Sequence, residues 1–467
     1  VLKEYKTLLP YAKRYLPHYI LGIICLLATN AGELYIPQLL RQATDIIALG
    51  RFSLDNILTI VLMIAGIAVL VAAARFGWRY FIQGASRNIE ASLRSDLFDH
   101  LLKLSPSFYG NMKTGDIMAR ATNDMRAIRM ASGIALVAFM DGLFLTVAIL
   151  IILFSTYARL ALITILPLPV ITVLVLFVGR IIGRRFKFVQ EGFANLSERV
   201  REAMAGIRVI KSFVRESYIL RLFEEQNIEY KNRNMHLVKL WGLFFPLVGF
   251  ISGLTILLLL VYGGSGVITR EFSPGDFVAF MSYLNMLRWP VMGMGFTVNI
   301  IQRGAASLGR INAILSEKPE ITSPAAPAEH PPKGDLEVSR LSFSYDDTSP
   351  PVLEDISFHL PSGNTLGILG RTGSGKTSLV RLIPRLIDPP KGTMHIGGRD
   401  IREYSLQELR SSIAFVPQDT FLFSDSIRGN ITFGKPDADD IQVQHAAEIS
   451  TISRELYHFP NGWDTEV

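Results

Sequence analysis

Gly370-Arg371-Thr372-Gly373-Ser374-Gly375-Lys376-Thr377 directly follows the apolar run Thr365–Leu369 and directly precedes a helical pattern over Ser378–Ile387. Strand, glycine loop and helix in that order, with the spacing G-x-x-x-x-G-K-[ST], make a phosphate-binding loop. The glycines let successive backbone N–H groups turn inward around a polyphosphate, and the helix start adds partial positive charge. Lys376 can reach the outer phosphates, and the Thr377 hydroxyl can ligate Mg²⁺. Gly370 through Ser378 are therefore the candidate residues for binding a nucleoside triphosphate. The alternative is a chance glycine-rich turn, which would have to fill every fixed position and both flanks by accident.

What such binding drives is narrowed by composition. The 467 residues leave room for two or three domains. With 49% apolar residues, a mean hydropathy of +0.31 and 19% charged residues, the chain is too apolar for an ordinary soluble enzyme. The net charge of +6 raises the question of a nucleic-acid partner. The basic residues, however, crowd beside long apolar runs, so a membrane is expected and nucleic acid is not. The single cysteine, Cys25, excludes an internal disulfide framework and a thiolate metal site.

Six apolar stretches are long enough for a bilayer, which needs about 20 residues. They fall near Tyr19–Leu40, Ile57–Ala74, Ile134–Tyr157, Leu160–Ile182, Leu240–Tyr262 and Phe277–Ile301. Short links around Gly50, Ala158 and Glu271 join segments one to two, three to four and five to six. Long links join the others, and Arg75, Arg79, Arg129, Arg180, Arg184, Lys231 and Lys239 crowd their ends. The positive-inside rule puts these links and the N-terminus, with Lys3, Lys6, Lys13 and Arg14, in the cytoplasm. The nucleotide loop belongs on the same side.

The long links carry helical periodicity. Ile89, Leu93, Leu97, Leu101 and Leu104 recur at spacings of four and three, as do Val189, Phe193, Leu196, Val200, Met204 and Ile207. The spacing predicts that the membrane helices continue as a packed stalk. Each stalk is interrupted, once at Ser105-Pro106-Ser107-Phe108-Tyr109-Gly110 and once between Gly206 and Glu216. Phe108, Tyr109 and Phe213 at these tips are candidates for docking onto another domain, the alternative being simple loop tips.

Pro324, Pro327, Pro331 and Pro332 mark residues 319–334 as an extended linker. Beyond it, Leu336–Ser344, Val352–Leu360, Thr365–Leu369 and Ile413–Val416 read as strands, Gly397-Gly398 as a tight turn and Ser405–Ser412 as a helix. Tyr345 ends the first strand, and Gln418 follows the last in Val416-Pro417-Gln418-Asp419. An aromatic at a strand end can stack on a purine or simply pack. A glutamine can orient water or a metal.

Together these residues resemble the ABC exporter family, specifically a multidrug-resistance type half-transporter. The resemblance runs through Ala43-Thr44-Asp45, Phe108-Tyr109, Thr114-Gly115-Asp116, Asn123-Asp124 and Gly206-Ile207-Arg208-Val209-Ile210-Lys211. It continues through Phe343-Ser344-Tyr345, the glycine loop, Val416-Pro417-Gln418, Asn430-Ile431 and Gly434. The implied fold is an all-α polytopic membrane domain with six helices and long cytoplasmic extensions, followed by an α/β P-loop domain. The expected boundaries are 1–318 for the membrane domain and stalks, 319–334 for the linker and 335–467 for the first part of the nucleotide domain. The resemblance implies that Tyr345 stacks on adenine, that Lys376 and Thr377 hold phosphate and Mg²⁺, and that Gln418 serves Mg²⁺ and water and links the site to the membrane domain. It also implies that the two stalk tips are coupling helices.

The family's nucleotide domain needs a second half with an LSGGQ signature, a catalytic Glu and a switch His. These are absent from 335–467, so a truncated subunit is expected. The implied activity is that of an ATP-driven exporter of amphipathic, drug-like compounds. It would work as a homodimer or heterodimer with a second half-transporter, in the plasma (cell inner) membrane. A lipid flippase, or a regulatory or channel-type member that binds nucleotide without pumping, is the alternative. Glu33, Asp141 and Arg288 fall inside apolar stretches, where a charge costs a few kcal/mol or more. They are candidates for the substrate pathway, and snorkelling from span ends is the other reading.

Overall fold

The computed structural model describes residues 3–50, 53–346 and 350–467. The chain forms two units, Val1–Pro319 and Glu320–Val467. The first is helical throughout. Among the described residues, four helices are long and apolar enough to cross a membrane: α1 (Leu16–Ala48), α2 (Leu54–Lys103), α3 (Thr114–Ile165) and α5 (Glu216–Ile268). Between them runs α4 (Leu168–Ala205), and α6 (Pro274–Met286) and α7 (Arg288–Leu315) complete the unit.

Two expected segments are broken where the sequence reading made them continuous. The stretch 160–182 is divided, because α3 runs through a kink at Tyr157 (φ −146°, ψ 86°) to Ile165 and α4 starts after Pro167. Proline lacks the N–H that a helix interior needs and is tolerated at a helix start. The stretch 277–301 is divided at Leu287 between α6 and α7.

Local chemistry fixes several ends. Ser53 Oγ accepts a hydrogen bond from the Asn56 backbone N–H and starts α2. At α6, Ser273 Oγ accepts from the Asp276 N–H while the Asp276 carboxylate accepts from the Ser273 N–H, a reciprocal cap with Pro274 in the first turn. Within α2 and α3 the turns Arg79–Gln83 and Ala131–Ala135 are π-helical. The two helices approach closely here, since a Cβ on Gly133 would stand 2.7 Å from Ser86 Oγ, just after the first of these turns.

The first stalk packs as its spacing predicts. Ile89, Leu93, Leu97, Leu101 and Leu104 are all buried against Met125, Ile128, Leu308, Ile311 and Ile314. The second does not. Val189 is buried, but Phe193, Val200, Met204 and Ile207 are exposed, because the α4 extension pairs chiefly with α5 and leaves that face uncovered.

The second unit is built on an antiparallel sheet of order β2-β1-β3-β4, with β1 Leu336–Phe343, β2 Leu353–Leu360, β3 Met394–Ile396 and β4 Arg399–Asp400. Leu336 pairs with both Leu360 and Ile396. The turn between β3 and β4 is made by Gly397 and Gly398 at φ 61° and 78°. Val338, Leu341, Leu382, Met394 and Leu409 form the core. Contrary to expectation, Thr365–Leu369 and Ile413–Val416 are not strands. Among the described residues neither has a neighbouring strand to exchange hydrogen bonds with, and Leu369 and Val416 are left open at 98% and 89%. The proline-rich stretch has no regular structure but is pinned to this unit. The Ala328 N–H donates to Glu403 O (2.9 Å), the Leu406 N–H to Ser323 Oγ (3.0 Å) and Arg385 Nη2 to Thr322 O (3.2 Å).

Candidate functional site

The glycine loop opens α8 (Lys376–Leu382). Gly373 and Gly375 take φ of 83° and 86°, which costs an L-residue about 1–2 kcal/mol. Gly375 is also pressed against β2, since an added Cβ would sit 2.7 Å from Leu353 Cδ2 and 2.9 Å from Val352 O. The Lys376 ammonium donates to Gly370 O at 2.8 Å and Arg371 O at 2.7 Å. It is thus held over the loop by two neutral acceptors that an anion could replace. The Thr377 hydroxyl carries no hydrogen bond among the described residues. Left-handed glycines, an ammonium held over the loop and an adjacent free hydroxyl fit a polyphosphate with its metal.

Tyr345 stands beside this loop. Its hydroxyl and Ser378 Oγ are 2.7 Å apart, and its ring meets Phe343 edge-on at 5.2 Å. The ring is half exposed, so one face is open to a planar ligand. The structure therefore brings Tyr345, Ser378, Lys376 and the loop glycines together. Gln418 is exposed, in the unpaired segment after Ile413, and no hydrogen bond joins it to Lys376 or Thr377.

In the membrane unit, a cavity of about 900 Å³ is lined by Thr29 and Glu33 of α1, Arg75, Arg79 and Gln83 of α2, Asp141 of α3, and Pro290 and Thr297 of α7. Arg75 Nη2 hydrogen-bonds Glu33 Oε1. Glu33 and Asp141 thus face one space. Arg288 does not line it, but precedes Pro290 on the same helix and is exposed. The π turns of α2 and α3 contribute Arg79, Gln83 and Ile134 to the wall.

Two polar networks escaped the sequence reading. Asp276, 5% exposed, pairs with Arg41 Nε at 2.8 Å and accepts from the Tyr157 hydroxyl at 2.7 Å. Asp45 beside it accepts from the Gly275 N–H at 2.8 Å and the Ser273 hydroxyl at 3.0 Å. Together they tie the end of α1 to α3 and α6. The signal was present as Ser273-Pro274-Gly275-Asp276, a helix-start signature between two apolar runs. The second network joins Asp124, Ser307 and Arg310, and sequence separation hid it.

At the first stalk tip, the short helix Pro106–Asn111 carries Phe108 half-buried against its own stalk, not exposed as expected, because the turn folds its ring back onto the apolar face. The Tyr109 hydroxyl donates to Leu101 O at 2.6 Å. At the second tip, after Ile207–Ser212, Phe213 is 71% exposed.

Comparison with known proteins follows the same division. Residues 19–291 match the model of the ABC transporter transmembrane region, and residues 353–460 match that of the ABC transporter. The chain is 35% identical over 463 residues to the "Probable multidrug resistance ABC transporter ATP-binding/permease protein YheI" of Bacillus subtilis, covering 98% of this chain and 78% of that protein. It is 32% identical over 458 residues to the multidrug resistance-like ATP-binding protein MdlA of Escherichia coli, covering 98% and 78%. It is 30% identical over 468 residues to an ATP-dependent lipid A-core flippase of Syntrophus aciditrophicus, covering 99% and 77%.

Proposed function

This chain belongs to the ABC transporter family, as a half-transporter with its membrane region and ATP-binding domain in one polypeptide, and from that premise we propose that it exports amphipathic, drug-like compounds as one of two such halves. The observation that carries the reading is the pairing, in one chain, of a glycine loop with a large cavity among apolar helices that holds the half-buried carboxylates of Glu33 and Asp141. Intramembrane ionisable groups are costly and face a pathway or a partner.

Lys376 would exchange the carbonyls of Gly370 and Arg371 for the outer phosphates, and Thr377 and Gln418 would offer oxygens to Mg²⁺. The open face of Tyr345 would take the adenine. ATP, when bound with Mg²⁺, supplies the free energy of phosphoryl transfer. Docking of the nucleotide domains against the two stalk tips, with Phe213 the exposed aromatic, would turn their closure into an outward opening of the cavity. A conformational equilibrium moves only by the differential affinity of a ligand for its two states. The membrane is the cell's inner membrane, with the N-terminus and nucleotide domain cytoplasmic.

A second reading, a lipid flippase, is favoured by the relative that carries that name. ATPase activity of the transporter in lipid, alone and mixed with a candidate partner half, decides between them. Stimulation by amphipathic drugs supports export of such compounds. Stimulation by a membrane lipid alone supports the flippase.

A further inference from the structure

The segment that leads into α1 has two unlike sides. It consists of the turn Glu4–Leu8 and the short helix Leu9–Arg14. Its inner side is held at several points. The Tyr5 hydroxyl donates to Ile301 O of α7 at 2.9 Å, Asn312 Nδ2 of α7 donates to Glu4 Oε2 at 3.2 Å, and the Tyr11 hydroxyl donates to Asp96 Oδ2 of α2 at 2.5 Å. Leu8 is buried, and Gly304 lets α7 come so near that an added Cβ would stand 2.7 Å from the Tyr5 hydroxyl. The outer side is Lys6, Leu9, Lys13, Leu16 and Ile20, which recur at spacings of three and four and are all exposed, as is Arg14. Lys6, Lys13 and Arg14 form no ion pair among the described residues. No acid nearby in the chain answers them, because between residues 3 and 32 the single acidic residue is Glu4, engaged by Asn312. Exposed cations alternating with exposed leucine and isoleucine, at the start of a membrane helix whose Leu21 and Ile24 are also exposed, fit a lipid surface. The apolar side chains reach among acyl chains and the cations meet headgroups.

We propose that this segment binds anionic phospholipid through Lys6, Lys13 and Arg14, and that the bound lipid, acting through Tyr5 and Glu4, fixes the position of α7. That helix supplies Pro290 and Thr297 to the cavity wall and is the last before the ATP-binding unit. A zwitterionic headgroup carries the same phosphate with its charge cancelled, so it gains little from these cations. Arg184, Arg185 and Lys187 of α4 are a competing exposed basic group, but there Glu191 stands 4.0 Å from Lys187. The inference needs only a membrane around these helices and is independent of which compound is exported.

The test titrates dioctanoyl phosphatidylglycerol, dioctanoyl phosphatidylcholine and free glycerol phosphate into the full-length transporter in neutral detergent. The rise of the unfolding midpoint gives the half-saturating concentration of each. Phosphatidylglycerol should raise the midpoint and the other two should not; no rise, or an equal rise with either of the others, overturns the inference. Lys6→Gln/Lys13→Gln/Arg14→Gln should raise the half-saturating concentration at least about tenfold, since each basic residue at an anionic surface is worth roughly fivefold. Lys6→Arg/Lys13→Arg/Arg14→Lys should bind as the wild type, so a loss in both variants overturns it too. Arg184→Gln/Arg185→Gln/Lys187→Gln removes the same charge and should change the value less than about threefold. A larger loss there than at the N-terminal segment moves the site to α4 and overturns the inference. In nanodiscs, replacing part of the phosphatidylcholine by phosphatidylglycerol should stimulate ATP hydrolysis, and Tyr5→Phe should abolish the stimulation while keeping the affinity. Stimulation undiminished by Tyr5→Phe overturns the link to α7. Stimulation that survives in the Gln variant of Lys6, Lys13 and Arg14 makes the lipid a cavity substrate and overturns the site. Absence of any response to amphipathic drugs, with phosphatidylglycerol binding intact, overturns the exporter reading alone.

Discussion

Arg310 grips both carboxylate oxygens of Asp124, through Nε at 2.8 Å and Nη2 at 2.5 Å, and so locks the C-terminal end of α7 to the start of α3. The Ser307 hydroxyl donates to the same carboxylate at 2.9 Å. Asp124 is 8% exposed, so these donors replace the water it gave up. Asp124→Ala should lower stability by about 1–3 kcal/mol, since hydrogen bonds to a charged group are lost while the half-exposed guanidinium can swing to solvent. Ser307→Ala should cost about 1 kcal/mol. Thermal unfolding in detergent measures both, and an unchanged melting temperature for Asp124→Ala would show that the lock contributes nothing.

The pair Arg41–Asp276 should behave differently, because Asp276 is buried and also holds Tyr157 and the start of α6. Asp276→Ala is expected to cost about 2–4 kcal/mol, as several hydrogen bonds to its carboxylate are lost together and the partly exposed Arg41 loses its partner. Adding Arg41→Met should recover part of that loss, because the stranded cation is removed. Strict additivity of the two changes would mean that the residues do not interact.

How much of this was legible beforehand depends on what each feature needs. The glycine loop is a local pattern, and its left-handed glycines and the helix that starts at Lys376 are legible from spacing alone. The first stalk face read correctly too, because Ile89 to Leu104 are covered within the same chain. Identical periodicity over Val189–Ile207 tells which face is apolar but not what covers it, and among the described residues Phe193, Val200, Met204 and Ile207 are left exposed. Thr365–Leu369 and Ile413–Val416 have strand composition, yet a strand exists only with a pairing partner. Asp276 and Asp124 were missed because their partners lie on other helices, and no local pattern connects them. Glu33 and Asp141 were singled out as costly charges, but that they share a cavity with Arg75 needed the fold.

Gly375→Ala tests the loop's backbone. The left-handed φ of 86° and the contacts with Leu353 and Val352 leave no room for a methyl group. Mg·ATP binding should weaken at least about tenfold, because strain of about 1–3 kcal/mol falls on the loop itself. Gly363→Ala, also at positive φ but with open space around it, should leave nucleotide affinity unchanged. Isothermal titration separates the two, and equal losses would place the effect in folding.

Tyr345 separates ring from hydroxyl. Tyr345→Phe removes only the contact with Ser378 and should change ATP affinity by no more than about tenfold, given about 0.5–1.5 kcal/mol for a net hydrogen bond. Tyr345→Ala removes the stacking face and should cost more, and should do so for ATP far more than for inorganic triphosphate. Equal weakening of both ligands by Tyr345→Ala would show that the ring supports the loop and does not meet the base.

The most direct measurement is ATP-dependent accumulation of an amphipathic, drug-like compound by inverted membrane vesicles, with the wild type and Lys376→Ala side by side. Lys376 holds its charge over the loop and does not line the cavity. Accumulation should fall to the level seen without ATP, while binding of the same compound to the nucleotide-free protein stays as in the wild type. Wild-type export by Lys376→Ala would contradict the assignment of this loop as the motor.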